Sequence, residues 1–141
     1  MAGRVKVNYR QLERLQRRIN KFAQVDMEAF CEVMAKELAG RLLSKVIKRT
    51  PVGVYDDGRK GGTLRRGWTI GHIKKIGNKY EIEVINPTEY AAYVEYGHRT
   101  RNHQGWVNGR FMMTISADEL EQQAPAIIER KLKAKLMEVF R

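Results

Sequence analysis

The pattern of apolar and polar positions predicts that the chain begins with a short amphipathic helix. Leu12, Leu15 and Ile19 follow one another at three- and four-residue spacing, which places them on one face of a helix. Asn8 can accept hydrogen bonds from the first turn as a helix cap. We therefore expect a helix over residues 8–24.

A second, longer helix is predicted directly after the first. Apolar residues repeat at four-residue intervals behind Asp26, which is a suitable capping residue. Thr50 and Pro51 should end this helix, because a residue before proline is disfavoured in the helical conformation and proline cannot donate to the helix ladder. The expected helix covers residues 26–49.

The pattern then changes from helical to extended. Residues 52–67 are too rich in glycine and charge for a regular element and predict a long flexible loop. Residues 68–76 and 80–85 have strand composition, and the second of these segments alternates apolar and acidic positions. Because Gly77 and Asn78 supply a two-residue turn between them, we expect a β-hairpin.

A third strand is predicted further along the chain. Phe111, Met113 and Ile115 alternate with smaller or polar residues. This strand would complete a small antiparallel sheet within residues 68–115, with a loop at 97–110.

The last part of the chain predicts a helix over residues 116–140. Ser116 with Glu119 three positions later matches a capping box, and Pro125 should interrupt or restart the helix. The expected fold class is α+β, in which a hairpin-based antiparallel sheet packs against a long N-terminal helix and a C-terminal helix. With 141 residues, the chain has the length of a single domain, residues 1–141.

Charge adds a prediction about partners. The chain carries 27 Lys and Arg against 16 Asp and Glu, a formal net charge of +11, and the excess is concentrated in residues 1–25 and 97–110. Such concentrated positive charge favours phosphate or an acidic protein surface as a neighbour, with binding that weakens as salt rises. The simpler alternative is a solvated basic surface that aids solubility.

Composition excludes several classes of protein. A hydrophobic content of 43% fits a soluble folded domain, and no apolar run is long enough for a spanning helix. Residues 1–9 lack the apolar core of a signal peptide, so a cytoplasmic place of synthesis is expected. The single cysteine, Cys31, lies on the apolar side of the second predicted helix, which favours a buried thiol over a nucleophile or a zinc ligand.

Catalytic chemistry is not indicated by the titratable residues. The histidines His72, His98 and His103 lie in no recognisable ligand or acid–base arrangement. A nuclease would need clustered carboxylates for metal binding. The acids near basic residues are Asp56, Asp57, Glu89 and Glu95. We therefore expect no enzyme, no metal site and no cofactor.

Four short motifs, taken in order, resemble one known family. They are Arg-Thr-Pro-Val at 49–52, Gly-Thr-Leu-Arg-Arg-Gly-Trp at 62–68, Tyr-Val-Glu-Tyr-Gly-His at 93–98 and Gly-Arg-Phe at 109–111. Together they resemble the phage tail-completion, minor tail and head–tail joining proteins of prophage morphogenesis clusters. The resemblance extends over residues 8–140. One departure is the extra stretch at residues 53–60, ahead of the Gly-x-Leu-Arg motif.

The resemblance implies a structural role in a virion and no catalysis. Proteins of this kind sit at the neck between the connector or stopper and the tail terminator or tail tube, commonly as a ring, here expected to be hexameric. They surround the path of the genomic DNA and contact it without sequence preference. The chain is thus expected in the tail or neck of the virion, assembled in the host bacterial cytoplasm and not in a membrane.

The loops at 52–67 and 97–110 are expected to be the working surfaces. The cationic residues predicted to contact DNA or an acidic partner are Arg59, Lys60, Arg65, Arg66, Arg99, Arg101 and Arg110. The residues predicted to anchor interfaces or to pack are Trp68, Tyr93, Tyr96, Trp106 and Phe111, with core packing as the alternative for Trp68 and Tyr93.

Two other functions compete with the structural one. A free-standing nucleic-acid-binding module that is blind to sequence is supported by the basic N-terminal helix, although no reader motif accompanies it. A small nuclease or toxin is the third possibility, and metal-dependent cleavage of DNA or RNA would reveal it.

Overall fold

A computed structural model describes residues 9–21, 27–53 and 57–139 of the chain. The helices in these ranges are α1 (Tyr9–Lys21), α2 (Met27–Arg49), α3 (Thr63–Arg66), α4 (Ala91–Tyr96) and α5 (Met112–Val139). The strands are β1 (Thr69–Ile70), β2 (Lys74–Ile76), β3 (Lys79–Glu81), β4 (Val84–Ile85), β5 (Gly97–Arg99) and β6 (Trp106–Asn108). The predicted α+β class is confirmed, whereas the predicted caps Asn8 and Asp26 lie outside the described residues.

The core lies along α2. This helix packs against α5 on one side and against the strands of the first hairpin on another. The buried apolar residues are Met34, Ala39, Val46, Leu64, Met112 and Ile127. By contrast, α1 has no buried residue, so its apolar stripe is not part of this core.

The predicted hairpin is confirmed, but a bulge interrupts it. β1 pairs antiparallel with β4, and β2 pairs with β3. Between these pairs, residues 71–73 lie opposite residues 82 and 83. One strand therefore carries an extra residue, which is the definition of a β-bulge and adds local twist. At the turn, Gly77 has a φ of 60°, as the first central residue of a type II′ turn requires.

The predicted third strand is wrong. Residues 112–115 form the first turn of α5, and Phe111 precedes it with a φ of 49°. Met112 is fully buried whereas Ile115 is exposed, the reverse of what a strand with Met113 and Ile115 inward would give. The alternation of Phe111, Met113 and Ile115 therefore does not indicate a strand. These residues lie at the start of a helix whose first buried residue is Met112.

The predicted helix start at Ser116 is also wrong, and so is the break at Pro125. α5 runs without interruption from Met112 to Val139 with Pro125 inside it. Ser116 is fully buried within the helix and accepts a hydrogen bond from Arg49 at 3.1 Å, so it does not act as a cap. Pro125 is exposed, so the backbone acceptor that it leaves without a partner can be hydrated.

Both predicted loops contain regular structure. In residues 52–67, the segment Thr63–Arg66 forms α3, because its Leu64 is buried and anchors a helical turn that glycine content alone does not suggest. Residues 97–110 form a second hairpin in which β5 pairs antiparallel with β6. The single sheet expected over 68–115 is instead three separate two-stranded sheets in the part of the chain that is described.

Candidate functional site: an aromatic and basic corner

The side chain of Glu95 caps the long helix α5. Its carboxylate accepts hydrogen bonds from the backbone N–H of Met113 at 2.9 Å and of Thr114 at 2.8 Å, and from the Thr114 hydroxyl at 2.7 Å. These amides are the second and third of the helix, which have no partner within it. Glu95 is only 7% exposed, and hydrogen bonds to both of its carboxylate oxygens offset the cost of burying this polar group.

The capping is reciprocal between α4 and α5. The backbone N–H of Arg110 donates to the carbonyl of Val94 at 2.7 Å, and that of Phe111 donates to the carbonyl of Glu95 at 3.0 Å. The chain that enters α5 thus satisfies the last carbonyls of α4, while Glu95 satisfies the first amides of α5. The two helices and the β5–β6 hairpin between them form one hydrogen-bonded joint.

Two glycines allow the backbones of this joint to approach each other. A Cβ atom on Gly97 would lie 2.5 Å from the carbonyl oxygen of Val107, and one on Gly109 would lie 2.3 Å from the carbonyl oxygen of Glu95. Gly97 also has a φ of 91° with ψ near 172°, a conformation that is essentially restricted to glycine. The Tyr-Val-Glu-Tyr-Gly motif is therefore the sequence of a packed corner.

The tip of the second hairpin is held by local hydrogen bonds around Thr100. Its amide donates to the Gly105 carbonyl at 3.0 Å, and its hydroxyl accepts from the Gly105 amide at 3.0 Å. Asn102 closes the turn by accepting at 2.6 Å from the Thr100 hydroxyl. The tip of this predicted working surface is therefore held by hydrogen bonds within the chain itself.

Exposed large apolar side chains lie on the elements that form the joint, and we call this region the aromatic corner. Its members are Tyr90, Tyr93, Tyr96, Trp106, Val107 and Phe111. Tyr93, Tyr96 and Trp106 are 60%, 64% and 59% exposed, so the predicted anchors of this region are outside the core. A cluster of exposed large apolar side chains is typical of a binding surface.

A cavity of about 440 Å³ opens within the aromatic corner. Tyr93, His98, Arg99 and Trp106 line it, together with His103. The rings of Tyr93 and His98 meet edge to face with centroids 5.8 Å apart. The Nδ1 atom of His98 is buried and has no hydrogen-bond partner among the described residues. This nitrogen is enclosed by the chain itself and is not open to the cavity.

Three predicted contact arginines lie on the segments that form the corner, and Arg99 also lines its cavity. Arg99, Arg101 and Arg110 are all exposed, on β5, on the hairpin turn and just before α5. Residues 96–117 contain no Asp or Glu. The corner therefore combines apolar surface with positive charge that no neighbouring acid in the same segment neutralises.

The other predicted cations occupy different surroundings. Arg59 pairs with Asp57 at 2.7 Å, Arg66 donates to the Gly61 carbonyl at 3.2 Å, and Lys60 is exposed. Arg65 points inward, where its Nε and Nη2 atoms donate to the Thr50 carbonyl at 3.1 and 2.7 Å. Arg65 therefore links α3 to the end of α2.

The segment that carries Arg59 and Lys60 begins and ends at a contact between two glycines, which form its base. A Cβ atom on Gly61 would lie 1.7 Å from the carbonyl oxygen of Gly53, so the two glycines are in direct contact. A groove of about 210 Å³ runs between this base and α4, with Val52, Gly62 and Tyr90 among its lining residues. α4 thus lies between the two segments predicted as working surfaces.

Thr50 connects the first two family-like motifs. Its hydroxyl donates to the Val46 carbonyl at 2.5 Å and accepts from the indole N–H of Trp68 at 2.6 Å. With its carbonyl bound by Arg65, the buried threonine ties the end of α2 to α3 and to the start of the first hairpin. Trp68 is therefore a packing residue, and the role of Thr50 was not foreseen from the sequence.

A charged cluster joins α2 to α5. Glu119 accepts from Lys45 at 3.0 Å and pairs with Arg49. The Lys45 hydrogen bond, followed by that of Arg49, lowers the pKa of Glu119 below its ordinary value. The ionised form of Glu119 is thus favoured in the folded state.

The lowered pKa of Glu119 leads to a pH-dependent prediction for Glu119→Gln. Because the folded-state pKa lies below the unfolded one, the stability from this cluster is fully present above the ordinary carboxylate pKa. It is lost as pH falls through the lowered pKa. Urea unfolding should show the wild type more stable than Glu119→Gln at pH 7, with the difference shrinking at acid pH. Glu121→Gln, at an exposed position of the same helix, should show no such convergence.

The described part of the chain has neither a cluster of metal ligands nor a helix suited to span a membrane. No group of three or more metal-ligating side chains occurs there, and His72 and His103 are exposed. No helix in those ranges combines the length and apolar character that crossing a membrane requires.

The fold and the corner define a small α+β protein, whose motif residues serve packing and whose exposed surface suits binding. The chain belongs to the HK97-gp10-like family, described as "Bacteriophage HK97-gp10, putative tail-component", whose model matches residues 13–97. No curated protein and no solved structure gave a significant match. The family confirms the resemblance to phage tail proteins and supports a structural role in the virion together with other tail proteins.

Proposed function

We propose that the chain is a tail-completion subunit at the neck of a tailed phage or phage-like particle. Residues 1–141 form one domain that assembles with copies of itself into a ring, hexameric by our expectation. The ring joins the tail tube or tail terminator to the connector or stopper and surrounds the DNA path. The subunit carries out no catalysis.

The observation that carries the proposal is the basic hairpin mounted on the reciprocally capped joint. Arg99 and Arg101 are exposed, while the elements that hold them are fixed by the buried Glu95 and by the close approach at Gly97. A rigid mount with exposed cations lowers the entropy that docking costs. This arrangement suits a joining protein, which must hold its contacts between two larger assemblies.

The test is a charge reversal in the phage that encodes the chain. Arg99→Glu with Arg101→Glu should give particles in which heads and tails remain unjoined, because opposed charge at a docking contact becomes like charge. We expect the titre of infectious particles to fall by more than about tenfold. Electron microscopy of the lysate and plaque titration measure the two effects.

A matched control separates this contact from total charge. Lys79→Glu with Arg130→Glu changes the net charge equally, at exposed positions on the first hairpin and on α5. Normal titres are expected for this control. Normal titres and joined particles in the Arg99→Glu, Arg101→Glu phage would contradict the proposed contact.

The runner-up is a free-standing nucleic-acid-binding module, which the character of α1 favours. This helix carries Arg14, Arg17 and Lys21 beside its exposed apolar stripe, and none of its residues is buried. A neck subunit should bind duplex DNA weakly and without sequence preference. Tight, salt-dependent DNA binding by the purified chain, together with its absence from assembled particles, would favour the runner-up.

A further inference from the structure

Exposed aromatic side chains distinguish the corner from a surface that only approaches DNA. Contacts to duplex DNA without sequence preference are made by cations with phosphates, and they gain little from exposed tyrosine, phenylalanine or valine. Protein interfaces, in contrast, are enriched in tyrosine, tryptophan and arginine at their energetic centres. Tyr93, Tyr96 and Trp106 beside Arg99 and Arg101 match the composition of a protein interface.

Charge limits what kind of protein can dock there. Arg99, Arg101 and Arg110 are exposed around the corner, and residues 96–117 supply no acid to neutralise them. An approaching protein surface with acidic side chains would gain from these charges, whereas a basic surface would be repelled. Because the chain has a net charge of +11, most of its own surface is a poor electrostatic complement to the corner.

The cavity beside His98 adds a position for one side chain. Its volume of about 440 Å³ is lined mainly by the rings of Tyr93, His98 and Trp106, which favour an aromatic or other large apolar group.

We infer that the aromatic corner is a preformed socket for an acidic segment of another protein, which inserts an aromatic side chain beside Trp106 and His98. This inference rests on the proposed function and specifies the partner of the same surface. The arginines around the socket bind the carboxylates of the segment, and the cavity selects the aromatic residue between them.

Calorimetric titration of the purified full-length chain tests the inference with three probes. They are a glutamate-rich random copolymer of glutamate and tyrosine, polyglutamate of similar length, and a short duplex DNA. The copolymer should bind at least about tenfold more tightly than polyglutamate, because only the copolymer can fill the socket. Equal affinity for the two polymers would overturn the inference.

Two variants locate the binding. Trp106→Ala and Tyr93→Ala should each abolish the preference for the copolymer over polyglutamate, and the fold should persist because both side chains are more than half exposed. The control Tyr9→Ala removes an exposed tyrosine from α1 and should keep the preference. If Trp106→Ala weakens duplex DNA binding and leaves copolymer binding unchanged, the corner is a DNA surface and the inference is wrong.

The outcome is separable from that of the particle experiment. Unjoined particles in the Arg99→Glu, Arg101→Glu phage without any polymer preference would keep the neck role and reject the socket. A clear polymer preference with normal particles from that phage would keep the socket and reject the joining contact.

Discussion

Replacing Glu95 by alanine should lower the free energy of unfolding by about 3 kcal/mol. The substitution removes three hydrogen bonds to a buried carboxylate and leaves the amides of Met113 and Thr114 without their acceptor. Unsatisfied buried donors cost about 1–3 kcal/mol each, and partial access of water to the helix end limits the sum. Urea unfolding at pH 7, followed by circular dichroism, measures the loss.

Two variants serve as comparisons for Glu95→Ala. Glu89→Ala removes an exposed acid from the same region and should change stability by no more than about 0.5 kcal/mol. Glu95→Gln retains an acceptor oxygen and should fall between the two. A Glu95→Ala protein as stable as Glu89→Ala would show that the cap contributes nothing measurable.

Gly97→Ala should destabilise the chain by about 3 kcal/mol or more. Alanine would be strained in a backbone conformation at φ 91° that is nearly exclusive to glycine. Its Cβ atom would also lie 2.5 Å from the Val107 carbonyl oxygen. Since backbone cannot rotate away as a side chain can, the hairpin must shift relative to α4. Thermal unfolding should show a lowered midpoint, with weakened binding at the corner.

Gly40→Ala is the matched control for this substitution. Gly40 lies inside α2, where an added Cβ meets nothing within 4 Å. Alanine is the better helix former by about 1 kcal/mol, so this variant should be more stable than the wild type. A loss of stability in Gly40→Ala comparable to that in Gly97→Ala would refute the explanation from local geometry.

Elements with a strong local pattern were predictable from the sequence. The four-residue repeat of apolar positions and the Thr50-Pro51 stop gave α2 with its C-terminal boundary at Arg49. The Gly77-Asn78 pair gave the turn of the first hairpin, because few other dipeptides fit a two-residue turn. In both cases, the decisive interactions are between residues close in sequence.

The start of α5 was not predictable in this way. Its cap comes from Glu95, 18 residues before Met113, and no local motif reveals that contact. Ser116 and Glu119 imitate a capping box, yet both are used by α2 through Arg49. A distant partner outweighed the local preference.

The site was predictable in composition but not in arrangement. Both tryptophans and Tyr93 could be selected as anchors, yet burial divides them, since Trp68 donates to Thr50 whereas Trp106 faces solvent. Similarly, Arg65 and Arg66 are adjacent, and only Arg65 reaches the Thr50 carbonyl. Which face of an element meets the core depends on contacts with residues far away in the sequence, and the local pattern does not reveal those contacts.

The contact between Gly53 and Gly61 has a consequence for how well this loop tolerates changes in length. The residues that separate the Pro-Val and Gly-x-Leu-Arg motifs begin and end at one point on the surface. Lengthening such a loop costs little free energy, because the entropy of closing a loop grows only with the logarithm of its length. Residues can therefore be inserted or deleted there at little cost in stability, while the two motifs keep their positions.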